Sequence, residues 1–206
     1  MNKNFTTLLI ILSFLSCKKE KQNTYASNEI ASVESVLLDY SDEINHIKAI
    51  TKKGNYNKNI AFMIDYSIHS GKNRFFIVDL KNDSIIKKEL VCHGDGKGKN
   101  TSGIPTVFSN RSETHCSSLG MAVMGERAYS GWGKNYKYWI DGLEKTNSNM
   151  RKRIVVLHGW KGMPEDETYP NPIATSWGCP TVSVDVLDKL DVILKENKKV
   201  LLYSFE

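Results

Sequence analysis

Long apolar runs, long basic stripes and internal repeats are all missing from this 206-residue sequence. The run from Leu8 to Leu15 (LLIILSFL) is apolar except for Ser13. It falls short of the roughly 20 apolar residues that span a bilayer. The formal charge is +5, from 28 basic and 23 acidic residues, and the excess is spread along the chain. Runs such as Lys18-Lys19 and Arg151-Lys152-Arg153 stand among acids and apolar residues. A nucleic-acid partner is therefore not expected, because phosphate binding needs clustered cations. Cysteine is scarce, with four in the chain. The Gly-rich stretch 93–103 (HGDGKGKNTSG) has neither the spacing nor the Gly-Lys-Ser/Thr tail of a phosphate cradle, and it reads as a loop. With 40% hydrophobic and 25% charged residues, the chain can bury one core, and nothing marks a second domain.

The short apolar run fits the start of an exported protein instead. Lys3 precedes it, and Phe14-Leu15-Ser16-Cys17 followed by the polar Lys18–Asn23 closes it. This resembles the lipobox of bacterial lipoproteins, in which the Cys is lipidated and becomes the new N-terminus. The expected organisation is a signal peptide over residues 1–16, a lipidated Cys17 with a polar tether over 17–28, and one domain over 29–206. The expected location is the periplasmic side of the cell envelope, held to a membrane by the lipid. Export leaves Cys92, Cys116 and Cys179 where thiols can pair. Three thiols leave at least one unpaired within the chain, which flags a reactive cysteine.

Periodicity predicts a mostly β domain with peripheral helices. Apolar positions from Ile30 to Ile50 recur at helical spacing, as one helix or two broken near Tyr40-Ser41-Asp42. Strands are expected over 60–66, 74–80, 84–91, 104–108, 119–125, 136–140, 153–157 and 199–205. A helix is expected over 183–196, capped by Ser183. Residues 159–178 form a long loop with three prolines and the acidic cluster Glu165-Asp166-Glu167, and loops of that length tend to be functional or disordered.

The chemistry concentrates between Ile154 and Val182. An apolar strand ends at His158-Gly159. The long loop then delivers Ser176-Trp177-Gly178-Cys179-Pro180 to the last helix. A cysteine nucleophile reacts as thiolate, and its free pKa of about 8.5 must be lowered by a neighbouring charge. A histidine at a strand end can be held beside it. The amides of Gly178 and Cys179 are candidates for an oxyanion hole. Cys92-His93 and His115-Cys116 contain zinc-type ligands, but their spacing matches no zinc ribbon or finger. A Cys92–Cys116 disulfide stays open as an alternative.

His158-Gly159 followed by Ser176-Trp177-Gly178-Cys179 resembles the motif of the L,D-transpeptidase catalytic domain (YkuD-like) family. Ser117-Ser118-Leu119-Gly120, Gly125-Glu126 and Gly142-Leu143-Glu144 resemble the variant of that family found in Bacteroidetes-type bacteria. The resemblance runs over roughly residues 60–205 and implies a β-sandwich-like domain. It implies Cys179 as nucleophile, His158 as general base, and the Gly159 carbonyl as acceptor of the other imidazole N–H. Ser176, Trp177, His115 and Trp160 are candidates for substrate contact. The implied reaction is acyl transfer on peptidoglycan stem peptides through a Cys179 thioester, resolved by an amine or by water. No cofactor and no metal is expected. Two positions depart from the pattern: Trp177 stands where many members have His, and Pro180-Thr181 stands where many have Ile/Val then Arg or Asn. These departures keep a non-catalytic peptidoglycan-binding lipoprotein as an alternative. A sortase-like transpeptidase fits less well, because no Arg follows Cys179. A papain-like hydrolase would place Cys before His.

Overall fold

In strand β1 (Ile60–Asp65), Ala61 and Met63 join one apolar cluster while Phe62 and Ile64 join another. The same alternation runs through β2 (Phe75–Asp79), where Phe75 and Ile77 face one way and Phe76 and Val78 the other. Side chains alternate faces along a strand, so two buried faces turn a strand into a continuous apolar run. That pattern recurs in the computed structural model, which describes residues 40–206.

The remaining strands are β3 (Ser84–Glu89), β4 (Gly120–Tyr129), β5 (Tyr136–Gly142), β6 (Val156–Gly159), β7 (Thr181–Val182) and β8 (Leu201–Phe205). All eight form one sheet in the order β3-β2-β1-β8-β4-β5-β6-β7. Two neighbouring pairs are parallel, β1 with β8 and β6 with β7; the rest are antiparallel.

Among the described residues, each face of the sheet carries one helix. Helix α1 (Ser41–Lys53) lays Ile44 and Ile47 on the face built by Ala61, Met63, Phe76 and Leu201. Asp42 and Glu43 lie in its first turn and Lys52 and Lys53 in its last, the charge order the helix dipole favours. Helix α2 (Val184–Glu196) lays Val186, Leu187, Leu190 and Leu194 on the face built by Phe62, Phe75, Ile140, Leu157 and Leu202. Ser183 caps α2 by accepting from Val186 N–H at 3.1 Å.

Among the described residues, the domain is mostly sheet with two peripheral helices, as the periodicity predicts, and these two helices pack on opposite faces of one sheet. Two differences concern local structure. No strand forms at 104–108: the Thr106 and Val107 N–H groups donate to the Asn100 side chain at 3.0 Å each, in place of a ladder. Arg153 and Ile154 precede β6 in a turn, with Ile154 at φ 60°. The signal peptide, Cys17, the tether and the first part of the expected 29–50 helix lie outside the described residues. Among those described, no helix is long and apolar enough to cross a membrane.

Candidate active site

Strands β6 and β7 lie parallel at one edge of the sheet, and their register pairs His158 with Thr181. His158 N–H donates to Pro180 O at 3.4 Å, and Trp160 N–H to Val182 O at 2.9 Å. The pairing therefore extends back towards Cys179, two residues before Thr181. On its other side His158 pairs with Lys137 of β5. His158 and Lys137 face away from the core that receives their neighbours Leu157, Tyr136 and Tyr138.

The histidine is held by Thr181, whose Oγ1 lies 3.0 Å from Nε2. The opposite ring nitrogen, Nδ1, is buried without a hydrogen-bond partner among the described residues. The Gly159 backbone lies close enough to favour a protonated ring, but its carbonyl does not complete a hydrogen bond to Nδ1. Burial is the larger effect; it holds the His158 pKa below the ordinary histidine value, and Lys137 adds to the depression. His158 is thus a neutral imidazole near pH 7.

Cys179 is partly exposed, and its thiol donates to Ile154 O at 3.6 Å. No hydrogen bond joins it to His158. Burial raises its pKa, while the Val156 backbone N–H, Arg153 and Lys137 pull it back. The loop that presents it is tightly defined. Ser176 Oγ donates to Cys179 O at 2.6 Å and accepts from Gly178 N–H at 3.1 Å. Gly178 sits at φ 108°, and a Cβ there would lie 2.7 Å from Cys116 O, so only glycine fits. Of the two amides considered for an oxyanion hole, Gly178 N–H is already engaged by Ser176.

Aromatic side chains accompany the cysteine loop. Trp177 is 76% exposed and stacks on His115 with ring centroids 4.7 Å apart and planes 12° apart. His115 Nδ1 lies 3.3 Å from Asp95 Oδ1. Trp160 follows the His158 strand end. The turn between β4 and β5 leans on it there, because Gly133, at φ 61°, packs directly against Gly159 O. The structure thus brings His115 and Trp177 together, places Trp160 beyond the histidine, and gives Ser176 a loop-bracing position.

His93 is elsewhere. It is buried and accepts at Nδ1 from Arg74 Nη2 at 2.7 Å, while Nε2 donates to Asn100 O at 3.0 Å. Arg74, fully buried, also donates to the carbonyls of Val91 and Ile68. This cluster braces the Gly-rich loop, whose Gly94 bridges Ser176. Cys92 and Cys116 are both free thiols. Among the described residues, no group of three or more His, Cys, Asp or Glu is placed to hold a metal ion.

The 159–178 loop is pinned along its length. Thr168 and Tyr169 N–H donate to Gly71 O at 2.9 and 3.1 Å, Ile173 N–H to Ser70 Oγ at 3.3 Å, and Ser176 N–H to His93 O at 2.8 Å. Glu167 accepts from Asn73 N–H at 2.8 Å.

Residues 29–203 match the family model of the L,D-transpeptidase catalytic domain. The chain belongs to that family. Among solved structures, it is similar to the helical cell shape determining protein Pgp2 from Campylobacter jejuni, at 13% identity and a TM-score of 0.42, with 76% of this chain and 53% of that one covered. It is also similar to an L,D-transpeptidase from Xylanimonas cellulosilytica, at 11% identity and a TM-score of 0.41, with 74% and 63% covered. The chain thus spans between half and two thirds of the length of these structures. No curated protein matches it.

Within this L,D-transpeptidase domain, two residues near the cysteine escape a reading of the motif alone. Thr181 is one, visible in the sequence only as a departure. Arg153 is the other. It lies 26 residues before Cys179, and only the turn ahead of β6 carries it there.

Proposed function

We propose that this domain carries out L,D-transpeptidation on peptidoglycan stem peptides, with Cys179 as nucleophile and His158 as base. The observation that carries this reading is the family match together with the paired strand ends that hold His158 beside the Cys179 loop. A neutral imidazole is the form a general base needs, and burial keeps His158 neutral. Catalytic hydrogen bonds are often long in the free enzyme, so the absent thiol–imidazole bond is compatible with a base that closes on its nucleophile with substrate.

In the proposed reaction the Cys179 sulfur attacks the carbonyl of the third stem residue. The terminal D-Ala leaves with a proton delivered by the imidazolium. An acceptor amine then displaces sulfur from the thioester and forms the cross-link; water in its place gives carboxypeptidase activity. The exposed Trp177–His115 pair and the half-exposed Trp160 are the candidates for contact with the stem. A lipid on Cys17 would hold the domain against a membrane on the periplasmic side, within reach of the wall.

One observation favours a second reading, a peptidoglycan-binding lipoprotein without activity: His158 Nε2 is engaged by Thr181, and no bond links it to the thiol. Incubation with a carbapenem followed by intact-mass measurement separates the two. A covalent adduct on Cys179 is expected. An unmodified protein with a demonstrably free thiol would leave the binding reading standing. Metabolic labelling with a fatty-acid analogue, lost on Cys17→Ser, tests the anchor.

A further inference from the structure

Arg153 is held beside the cysteine loop by neutral groups alone. Its Nη1 donates to Ser109 O at 2.8 Å and Ser118 Oγ at 2.6 Å, and its Nη2 donates to Cys116 O at 2.6 Å. No carboxylate contacts it among the described residues. Arg151, two positions earlier, shows the contrast: it grips Asp141 and Glu126, with contacts of 2.5 to 3.0 Å. Arg127 is likewise paired with Asp191 at 2.8 Å. The Arg153 guanidinium keeps an uncompensated positive charge and is anchored where it cannot swing away.

That charge lies directly beneath the nucleophile's loop. Arg153 Nη2 would stand 3.3 Å from a Cβ on Gly178, the residue before Cys179. Burial raises the Cys179 pKa and lowers that of Arg153; against this, Arg153 favours the ionised Cys179 sulfur, and ionised Cys116 and Cys179 favour the charged guanidinium. His158 cannot supply such a charge, because burial keeps it neutral and its Nε2 is held at Thr181. A neutral ring accepts a proton but makes no ion pair with a thiolate.

We propose that Arg153 is the positioning residue that stabilises the Cys179 thiolate formed when His158 takes the thiol proton, leaving His158 to move protons only. This deepens the proposed acyl transfer by dividing the charge and the proton between two residues. Its test does not need a wall substrate. Iodoacetamide alkylates a thiolate: sulfur forms a bond to carbon, iodide leaves, and the thiol proton passes to solvent. The rate at Cys179 is read against pH in the full chain, by the mass of the peptide that carries it.

Arg153→Met should slow alkylation at pH 7 about tenfold and move the midpoint upward by about one unit. Arg153→Lys, which keeps the charge and loses the fork of hydrogen bonds, should stay within about threefold of wild type. A Met variant with the wild-type profile, or a Lys variant as slow as Met, overturns the proposal. If Arg153→Met does not fold, His158→Gln carries the same test. Its midpoint should stay near the wild-type value, and an upward move of a unit or more would make the histidine the charge carrier and overturn the proposal. Arginine-dependent alkylation without any acyl transfer would sink the proposed function and leave this inference intact.

Discussion

Two clusters in this domain are built from the same three residue types. Arg74, Cys92 and His93 form one, and Arg153, Cys179 and His158 take part in the other. In both, the arginine has no carboxylate in contact and burial keeps the histidine neutral, with His93 down to about 4. The first cluster is sealed and satisfied. Both ring nitrogens of His93 are bonded, and Arg74 donates to carbonyls on three sides. Cys92 lies against Met163 Sδ at 3.1 Å, and burial pushes its thiol up to about 12. The second cluster is left incomplete: His158 Nδ1 is without a partner, and Cys179 reaches solvent. Buried polar groups in proteins are nearly always paired. Residual bonding capacity and access therefore separate the two clusters more sharply than residue type does.

The largest expected effect is on the two cysteines. Cys179→Ala should lower D-Ala release from tetrapeptide stems by on the order of 10³-fold or more, as loss of a nucleophile does. Cys92→Ala should leave the rate within about twofold. Equal losses in an activity assay would erase the contrast between the clusters.

Arg74→Met should come next, as a stability effect. It strands buried carbonyls and His93 Nδ1, each costing about 1–3 kcal/mol, for a total of roughly 3–5 kcal/mol in urea denaturation. A loss below about 1 kcal/mol would show that the sealed cluster braces nothing.

His93 then predicts the pH response. Its folded pKa of about 4 lies below the ordinary 6.5, so between those values the unfolded chain binds the proton and the folded chain does not. Stability is full above about pH 6.5 and falls as pH drops towards 4, by up to roughly 3 kcal/mol. His93→Asn should flatten that slope between pH 6.5 and 4 in denaturation curves, and an unchanged slope would count against it.

A smaller effect is expected at Thr181. Thr181→Val removes the hydroxyl that holds Nε2, and should reduce turnover about tenfold while shifting the acid limb of its pH profile. The cost in stability should be about 1 kcal/mol. An unshifted profile would mean that the threonine only fills space. Smallest of all, Trp177→Ala removes an exposed indole and should raise KM about threefold without moving the melting temperature. A fall in turnover at saturating stem peptide instead would place Trp177 in the chemistry.

Much of the sheet was legible because β1 and β2 are apolar on both faces and turns such as Lys81–Asp83 separate them. Helix α2 was legible down to its Ser183 cap. Strand β7 was not, since two residues carry no period. The expected strand at 104–108 failed because Asn100 offers its side chain as a substitute partner, which is a tertiary arrangement. In the site, His158 and Cys179 stood out through their loop chemistry. Arg153 did not, because it reads as the start of a strand, and only the positive φ of Ile154 reveals the turn that carries it to the cysteine loop. Thr181 was hidden for a related reason: its partner is set by parallel pairing across 23 residues.

Strand β8 lies in the middle of the sheet, parallel to β1 on one side and antiparallel to β4 on the other. It follows every other described element in chain order. Until residues 201–205 have been synthesised, β1–β3 and β4–β7 share no ladder, and the hydrophobic faces of both halves stay open. The domain is therefore built to complete its folding late, once residues 201–205 are available to bridge β1 and β4. A lesion as small as Leu202→Asp should act as a failure of assembly, with protein lost to aggregation or proteolysis while Cys179 and His158 themselves are unaltered.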